Sequence, residues 1–510
     1  MDFLFEGGSI RTLDPARPAV PALAVAGELV TDVPPGGARR IDLDGRCVVP
    51  GFADSHVHFP TWSLGLRQAR LEGARSLEEA LERVADARSS VARGGWLRGL
   101  GWRDGDWPDP PTRSALDRVA GDVPVALMAK DYHSLWLNSA ALERADLPLE
   151  QPGGVVERDQ HGDPTGVLRE TSAWAFRDRY VRPTLDEMVE ASREGMRIAA
   201  SRGITAIHDK DGWLGSLEVH QRLLADDDLL VRVWQSLPWD RLDELEALGL
   251  RSGYGAPLLR LGYLKGFMDG TLGSATALLL DGSGIEITSS DGLEAVVRRA
   301  AGAGWPVAVH AIGDAANRAA LDAFERSRYA WQPAGLRPRI EHAQLLAPEE
   351  FARFAALGVA ASVQFSHAPS DRDLADRVWE GHPGAYAYRS LLDAGTLLAN
   401  GSDAPVEELD PLAGIAAGVC RTLDRRPPWR PEQALTVGEA LRATCVAPAW
   451  LEGEERNRGK LSPGMWADLV VLDRDPFTCP AEALGGIRVE ATMVGGRFTH
   501  VAGHWTELSR

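Results

Sequence analysis

Between residues 189 and 405 the sequence keeps returning to one unit. An amphipathic segment ends at a glycine, and a short apolar run follows that finishes on a polar side chain. "VEASREGMRIAASRG" leads into "ITAIHD", and "GLEAVVRRAAGAG" into "WPVAVHAIGD". "APEEFARFAALG" leads into "VAASVQFSH", and "AYRSLLDAG" into "TLLANGSDAP". Apolar residues at helical spacing predict helices, and the glycine stops each one. Continuous apolar runs predict strands buried on both faces, which is the pattern of a parallel sheet with helices outside. An open doubly wound sheet and a closed (β/α)₈ barrel both satisfy this. Polar residues at successive strand ends (His208, His310, His342, Asp403) favour the barrel, because an open sheet gathers its ligands at one switch point.

The barrel is expected over residues 51–455. Residues 1–50 and 456–510 read instead as short strands and turns, with a hairpin at Gly495-Gly496 inside "VEATMVGGRFTHVAG". The two ends are expected to pair into one small β-sandwich. Residues 76–185 break the rhythm and are rich in Pro, Gly, Asp and Trp. They are expected to form a large insertion after the first barrel strand, covering the barrel mouth where selectivity is built. Its tryptophans Trp96, Trp102, Trp107 and Trp136 suit either an aromatic cleft or a packed core.

Bulk properties narrow the partners. A formal charge of −18 over 510 residues argues against nucleic acid and against an acidic membrane surface. No apolar run is long enough to span a bilayer. The start, "MDFLFEGGSI", lacks the basic and apolar regions of a signal peptide, and the four scattered cysteines form no CxxC pair. A cytoplasmic, reducing location and a small-molecule substrate are the expectations. Self-association into a homo-oligomer is left open.

The chemistry starts at "VVPGFADSHVHFP". On a strand, His56 and His58 point to the same side and can share one cation, although an isolated H-x-H is more often a satisfied pair. His310, His342 and Asp403 add further donors at other strand ends, and such a set suits zinc or a similar divalent ion. Lys265, in "LGYLKGFMDGTLGSATALL", ends an apolar run. It is either a snorkelling lysine or one carboxylated by CO₂, which would turn a cation into a bridging anion. Asp54 and Glu341 adjoin these residues and can orient imidazoles or face the barrel wall.

Taken together, "PGFADSHVHF", "KGFMDGTLGSATA", "VHAIGDAAN", "RIEHAQ", "GSDAPV", "GKLSPGMWADLVVLDRDP" and the insertion motif "YHSLWLNSAAL" resemble the amidohydrolase superfamily. More narrowly they are similar to its YtcJ-like, or amidohydrolase-3, branch, which includes N-substituted formamide deformylases. The resemblance implies a distorted TIM barrel that hydrolyses amide-like C–N bonds with one or two divalent metals, zinc foremost. It implies His56, His58, Lys265, His310, His342 and Asp403 as ligands, with a CO₂-derived carbamate on Lys265 in a two-metal site. In that form His56, His58 and Asp403 hold one ion and His310 and His342 the other. Asp403 is the expected proton carrier, and Tyr132 and His133 are candidate substrate contacts. Two rivals are a one-metal, deaminase-like hydrolase of a cyclic substrate and a non-catalytic metal-binding regulator. The sequence departs from the branch at Ala275, where an arginine is common, and at Phe365 after Gln364, where proline is common. Both changes put the substrate in question.

Overall fold

The computed structural model describes residues 1–89, 91, 94–103, 107–503 and 505. Eight parallel strands form its centre. In chain order they are Phe52–Val57 (β1), Ile204–Asp209 (β2), Arg232–Pro238 (β3) and Leu259–Phe267 (β4). Val307–Ala311 (β5), Arg339–His342 (β6), Ala360–Val363 (β7) and Leu398–Asn400 (β8) complete the set. Each strand pairs with the next in order, giving a nearly closed, distorted TIM barrel. The seam between β8 and β1 is made just beyond the strand ends. There the Asp403 N–H donates to the His56 carbonyl at 2.7 Å, and the His58 N–H donates to Ala404 at 2.9 Å.

Helices cover the barrel as the periodicity predicts. Leu185–Ser201 starts with a reciprocal cap in which Thr184 accepts from the Glu187 N–H and Glu187 reaches back. Its inner face buries Met188, Val189 and Met196 with residues of β1 to β3. Further helices, Ser290–Gly302, Asp314–Arg326 and Val437–Leu451, supply the same apolar coat elsewhere.

The two chain ends meet in one sheet. Cys47–Pro50 runs antiparallel to Leu469–Leu472, which pairs with Val489–Val494 and then Arg497–Val501. A four-stranded sheet from residues 3–42 shares an apolar cluster with it, including Phe5, Val25, Val48, Leu469 and Met493.

The long β1–β2 connection carries a six-stranded sheet of its own, from Ala69–Arg70 to Pro164–Glu170. Trp102, Trp107 and Trp136 are buried in its core, with indole N–H groups donated to the carbonyls of Leu127, Ala74 and Thr112. Trp96 packs on Phe176 and under Arg144. The four tryptophans are therefore packing residues of the insertion, and none lines the barrel mouth. Among the described residues no helix is long and apolar enough to cross a membrane, and the four cysteines are unpaired.

Candidate active site

A cavity of about 500 Å³ opens at the carboxyl ends of the barrel strands. Its floor is polar. His56, His58, Lys265, His310, His342 and Asp403 all line it, as do Tyr132 and His133 from the insertion. The walls are largely apolar, built by Met128, Trp174, Trp213, Trp239, Phe267 and Leu64. The sequence reading missed these wall residues because they come from three separate connections and the end of β4, and no local pattern joins them.

His56 is the penultimate residue of β1 and is buried. Its Nε2 lies 3.2 Å from Asp403 Oδ1, and its Nδ1 lies 2.8 Å from Glu341 Oε2. His58 sits one residue beyond the strand, as the cap of the helix Phe59–Gly65. Its Nδ1 meets Asp211 Oδ1 at 2.8 Å, and its Nε2 stands 3.6 Å from Asp403 Oδ1. His342 ends β6 and bonds Gln364 Oε1 through Nδ1 at 2.9 Å. A carboxylate or amide oxygen accepts a hydrogen bond, so in all three rings Nδ1 carries hydrogen, and Nε2 keeps its lone pair where the ring is neutral. His310 is arranged the other way round. Its Nε2–H donates to the Gly270 carbonyl at 2.9 Å, which leaves Nδ1 as the lone pair.

Electrostatics favour neutral His342 and His310 rings beside an ionised carboxylate, whereas at His58 burial is outweighed by Asp211 and Asp403 and the pKa is raised. Burial, reinforced by nearby cationic groups, pushes the His342 pKa down to about 3 and that of His310 well below its usual value. Asp403 falls well below the ordinary carboxylate range. Burial opposes that shift, but the surrounding His56, His342 and His367 outweigh it. His342 and Asp403 both adopt positive φ, at 75° and 57°. Such non-glycine conformations cost about 1–3 kcal/mol each and persist where the surroundings over-determine them.

Donor atoms of His56, His342 and Asp403 all lie within 4.8 Å of one another, the one group of three such residues found at this spacing among the described residues. This buried set of two imidazoles and a carboxylate, with its imidazoles anchored from behind, fits a borderline divalent metal. By this spacing His342 joins His56 and Asp403, and the His58 Nε2 stands 3.6 Å from Asp403 Oδ1. His310 packs on His342 with ring centroids 4.6 Å apart. The Lys265 Nζ lies over the Phe267 ring and donates to the Gly266 carbonyl at 3.1 Å. Burial above all pushes the Lys265 pKa down to about 7.

Other expected positions fall differently. Asp54 orients no imidazole. Its carboxylate accepts from the backbone N–H groups of His56 and Ser402, stapling β1 to the loop after β8. Glu341 does hold His56. His208 faces away from the mouth, where it pairs with Arg339 and Glu452. Ala275 is exposed in its turn and does not line the cavity. His133 bonds Glu170 Oε2 through Nδ1 at 2.7 Å, and its ring lies 6.2 Å from that of His310. Tyr132, with φ at 62°, also reaches the cavity.

Comparison with known proteins follows the same lines. The model of the "Amidohydrolase family" matches residues 39–500. The chain belongs to the amidohydrolase family. This amidohydrolase is 31% identical over 97% of its length to Protein LONG AFTER FAR-RED 3 of Arabidopsis thaliana, covering 91% of that protein. It is 31% identical over 91% of its length to YtcJ of Bacillus subtilis (strain 168), covering 90% of it. It is 28% identical to the N-substituted formamide deformylase of Arthrobacter pascens, over 97% of each chain. Among solved structures, an uncharacterized metal-dependent hydrolase from Pyrococcus furiosus superposes with a TM-score of 0.75 at 29% identity. That match covers 94% of the amidohydrolase chain and all of the Pyrococcus chain.

Proposed function

We propose that this amidohydrolase is a metal-dependent hydrolase of amide-like C–N bonds in small molecules, such as N-formyl or N-acyl amines or cyclic amides. One observation carries the reading. Histidines with outward lone pairs converge with an ionised, conformationally constrained Asp403 on the floor of a cavity with apolar walls. The residues named in the sequence as ligands, His56, His58, Lys265, His310, His342 and Asp403, would hold the metal. A divalent ion there supplies Lewis acidity toward the carbonyl and lowers the pKa of the attacking water toward about 7.

The chain's own groups do the rest. Asp403, ionised at every working pH, takes a proton from the attacking water as oxygen bonds to the carbonyl carbon. It then delivers that proton to the departing nitrogen as the C–N bond breaks, yielding an acid and an amine. The apolar walls hold the organic substituent and exclude bulk water, while Tyr132 and His133 offer polar contacts from the roof. The lowered pKa of Lys265 favours the free amine, the form that adds to CO₂ and releases a proton to give a carbamate.

A one-metal site with unmodified Lys265 is favoured by one detail: the amine already bonds the Gly266 carbonyl. Metal stoichiometry, with intact mass to detect bound CO₂, separates the two forms. The test of function is a panel of N-formyl amines, N-acyl amines, cyclic amides and esters, assayed after chelation and again after Zn²⁺ is restored. Turnover of a C–N substrate that disappears with the metal and returns with it supports the reading. A metal-loaded protein that turns over only esters overturns it.

A further inference from the structure

One buried imidazole on the cavity wall belongs to none of the roles above. His367 opens the helix His367–Val378 and is 3% exposed. Its ring stacks parallel to His342, with centroids 6.4 Å apart and planes 7° from parallel. Its Nδ1 lies 3.0 Å from the Nε2 of Gln344, which sits two residues past β6. Its Nε2 is buried, has no partner among the described residues, and stands 3.8 Å from Asp403 Oδ2. That separation is too long for a hydrogen bond.

The partners set the tautomers. A side-chain amide nitrogen can only donate. Gln344 Nε2 therefore makes His367 Nδ1 an acceptor, and in the neutral ring the proton must sit on Nε2, facing the cavity. Two glutamines on adjacent strand ends thus act oppositely. Gln364 presents its oxygen to His342 and turns a lone pair outward, whereas Gln344 presents its nitrogen to His367 and turns an N–H outward. A lone pair is a metal ligand. A fixed N–H beside Asp403 is a donor waiting for an oxygen.

We propose that His367 is a further catalytic residue, held by Gln344 as an Nε2–H donor that hydrogen-bonds the substrate carbonyl oxygen as it gains negative charge, and that it is not a metal ligand. This rests on the hydrolytic reading of the cavity. When water adds to the carbonyl carbon, the C=O π electrons move onto oxygen. The Nε2–H stabilises that charge without giving up its proton, and Asp403 remains the group that carries the proton to nitrogen. A preorganised buried donor of this kind changes little between ground and transition state, which is why it is effective.

The test begins with the imidazole itself. Two-bond ¹⁵N–¹H correlation spectra of the full-length, metal-loaded protein, assigned by comparison with His367→Gln, report the tautomer directly. The Nε2–H form is expected; an Nδ1–H form or an imidazolium overturns the proposal. Metal content comes second. His367→Ala is expected to retain the metal complement of the unsubstituted protein, and loss of metal from a folded variant would make His367 a ligand and sink the idea. Kinetics come third, on any substrate found in the panel. His367→Ala is expected to lower kcat by about 10²–10³-fold with KM changed only slightly. His367→Gln, which keeps an amide N–H near the same place, should recover most of that loss. Gln344→Glu reverses the tautomer and should reproduce the His367→Ala defect, and if it misfolds, Gln344→Met serves by removing the nitrogen donor. Unchanged kcat in His367→Ala refutes the donor role. If no C–N substrate is turned over, the functional reading fails on its own, while tautomer and metal content still decide how His367 is held.

Discussion

Two clusters of buried charge share this barrel, and they are built on different principles. At the lower end, Arg339 Nη1 bonds His208 Nδ1 at 2.9 Å, and His208 Nε2 meets Glu452 Oε1 at 2.7 Å. Arg458 closes on Glu452 at 3.0 Å. Glu341 lies between the clusters. Arg339 Nε and Lys210 Nζ approach its Oε1 at 2.9 and 3.0 Å as charge contacts rather than aligned hydrogen bonds. Nearly every charge at this end faces an opposite charge. At the mouth, the Asp403 carboxylate faces four imidazoles at 3.2 to 3.8 Å, and the His367 Nε2 has no hydrogen-bond partner among the described residues. Burial of charge does not by itself mark a site. The lower cluster also leaves Arg339 Nη2 and Arg458 Nε without aligned hydrogen bonds, so the useful sign is a buried carboxylate ringed by imidazoles with no Lys or Arg ion pair among the described residues.

Substitutions on either side of that divide should behave differently. The largest effect is expected at the mouth. Asp403→Ala should reduce C–N hydrolysis by about 10⁴-fold while thermal unfolding stays close to that of the unsubstituted protein, since no opposite charge is stranded. Surviving activity would remove Asp403 from the proton pathway.

Glu341→Gln strikes the lower cluster and the mouth together. It strips the counter-charge from Lys210 and Arg339 and should cost about 3–5 kcal/mol in chemical denaturation. It also loosens His56, so metal affinity should fall by about 10–100-fold in competition with a chelator. A large stability loss with unaltered metal affinity would show that the two clusters are independent despite sharing Glu341.

A pH effect of intermediate size is expected from Lys265. With its pKa pushed down to about 7, the amine is increasingly the free base as pH rises through that value. Bicarbonate-dependent metal uptake should therefore grow by about tenfold per unit below pH 7 and level off above it. The same shift bears on stability. The unfolded chain binds more protons than the native one between about 7 and the ordinary lysine value, so this residue's contribution to stability increases with pH across that window. Uptake that ignores both pH and bicarbonate would argue for the one-metal form.

The smallest effect is expected on the wall. Trp213 is 40% exposed at the cavity rim. Trp213→Ala should change KM for bulky apolar substrates by a few-fold, about 1 kcal/mol, with kcat held. A kcat effect would place the rim in the chemistry.

The sequence made the barrel legible because helix period and buried-strand period alternate without interruption, and each strand's polar terminus stood out against apolar runs. The six candidate ligand positions, Asp403 among them, reach one cavity for that reason. What stayed hidden was pairing. Glu341 and Asp54 look alike as acidic neighbours of histidines, yet one orients a ring and the other fastens backbone. Asp211, Gln364 and Gln344 are ordinary residues in the chain and matter only through the imidazole each one meets. The insertion's tryptophans were ambiguous because an aromatic-rich segment reads the same whether it lines a cleft or fills its own core. His208 shows the converse, a strand-end histidine whose side chain turns toward the other end of the barrel.

The staple at the seam has a consequence for how the protein matures. Asp54 and Ser402 are separated by 348 positions in the chain, and His56 and Asp403 flank that closure. No partial length emerging from the ribosome can bring these two donors together until most of the chain has been made and the last strand has docked. Metal capture is thereby tied to completion of the whole barrel, and a shortened or unfinished chain lacks the grouping needed to sequester an ion.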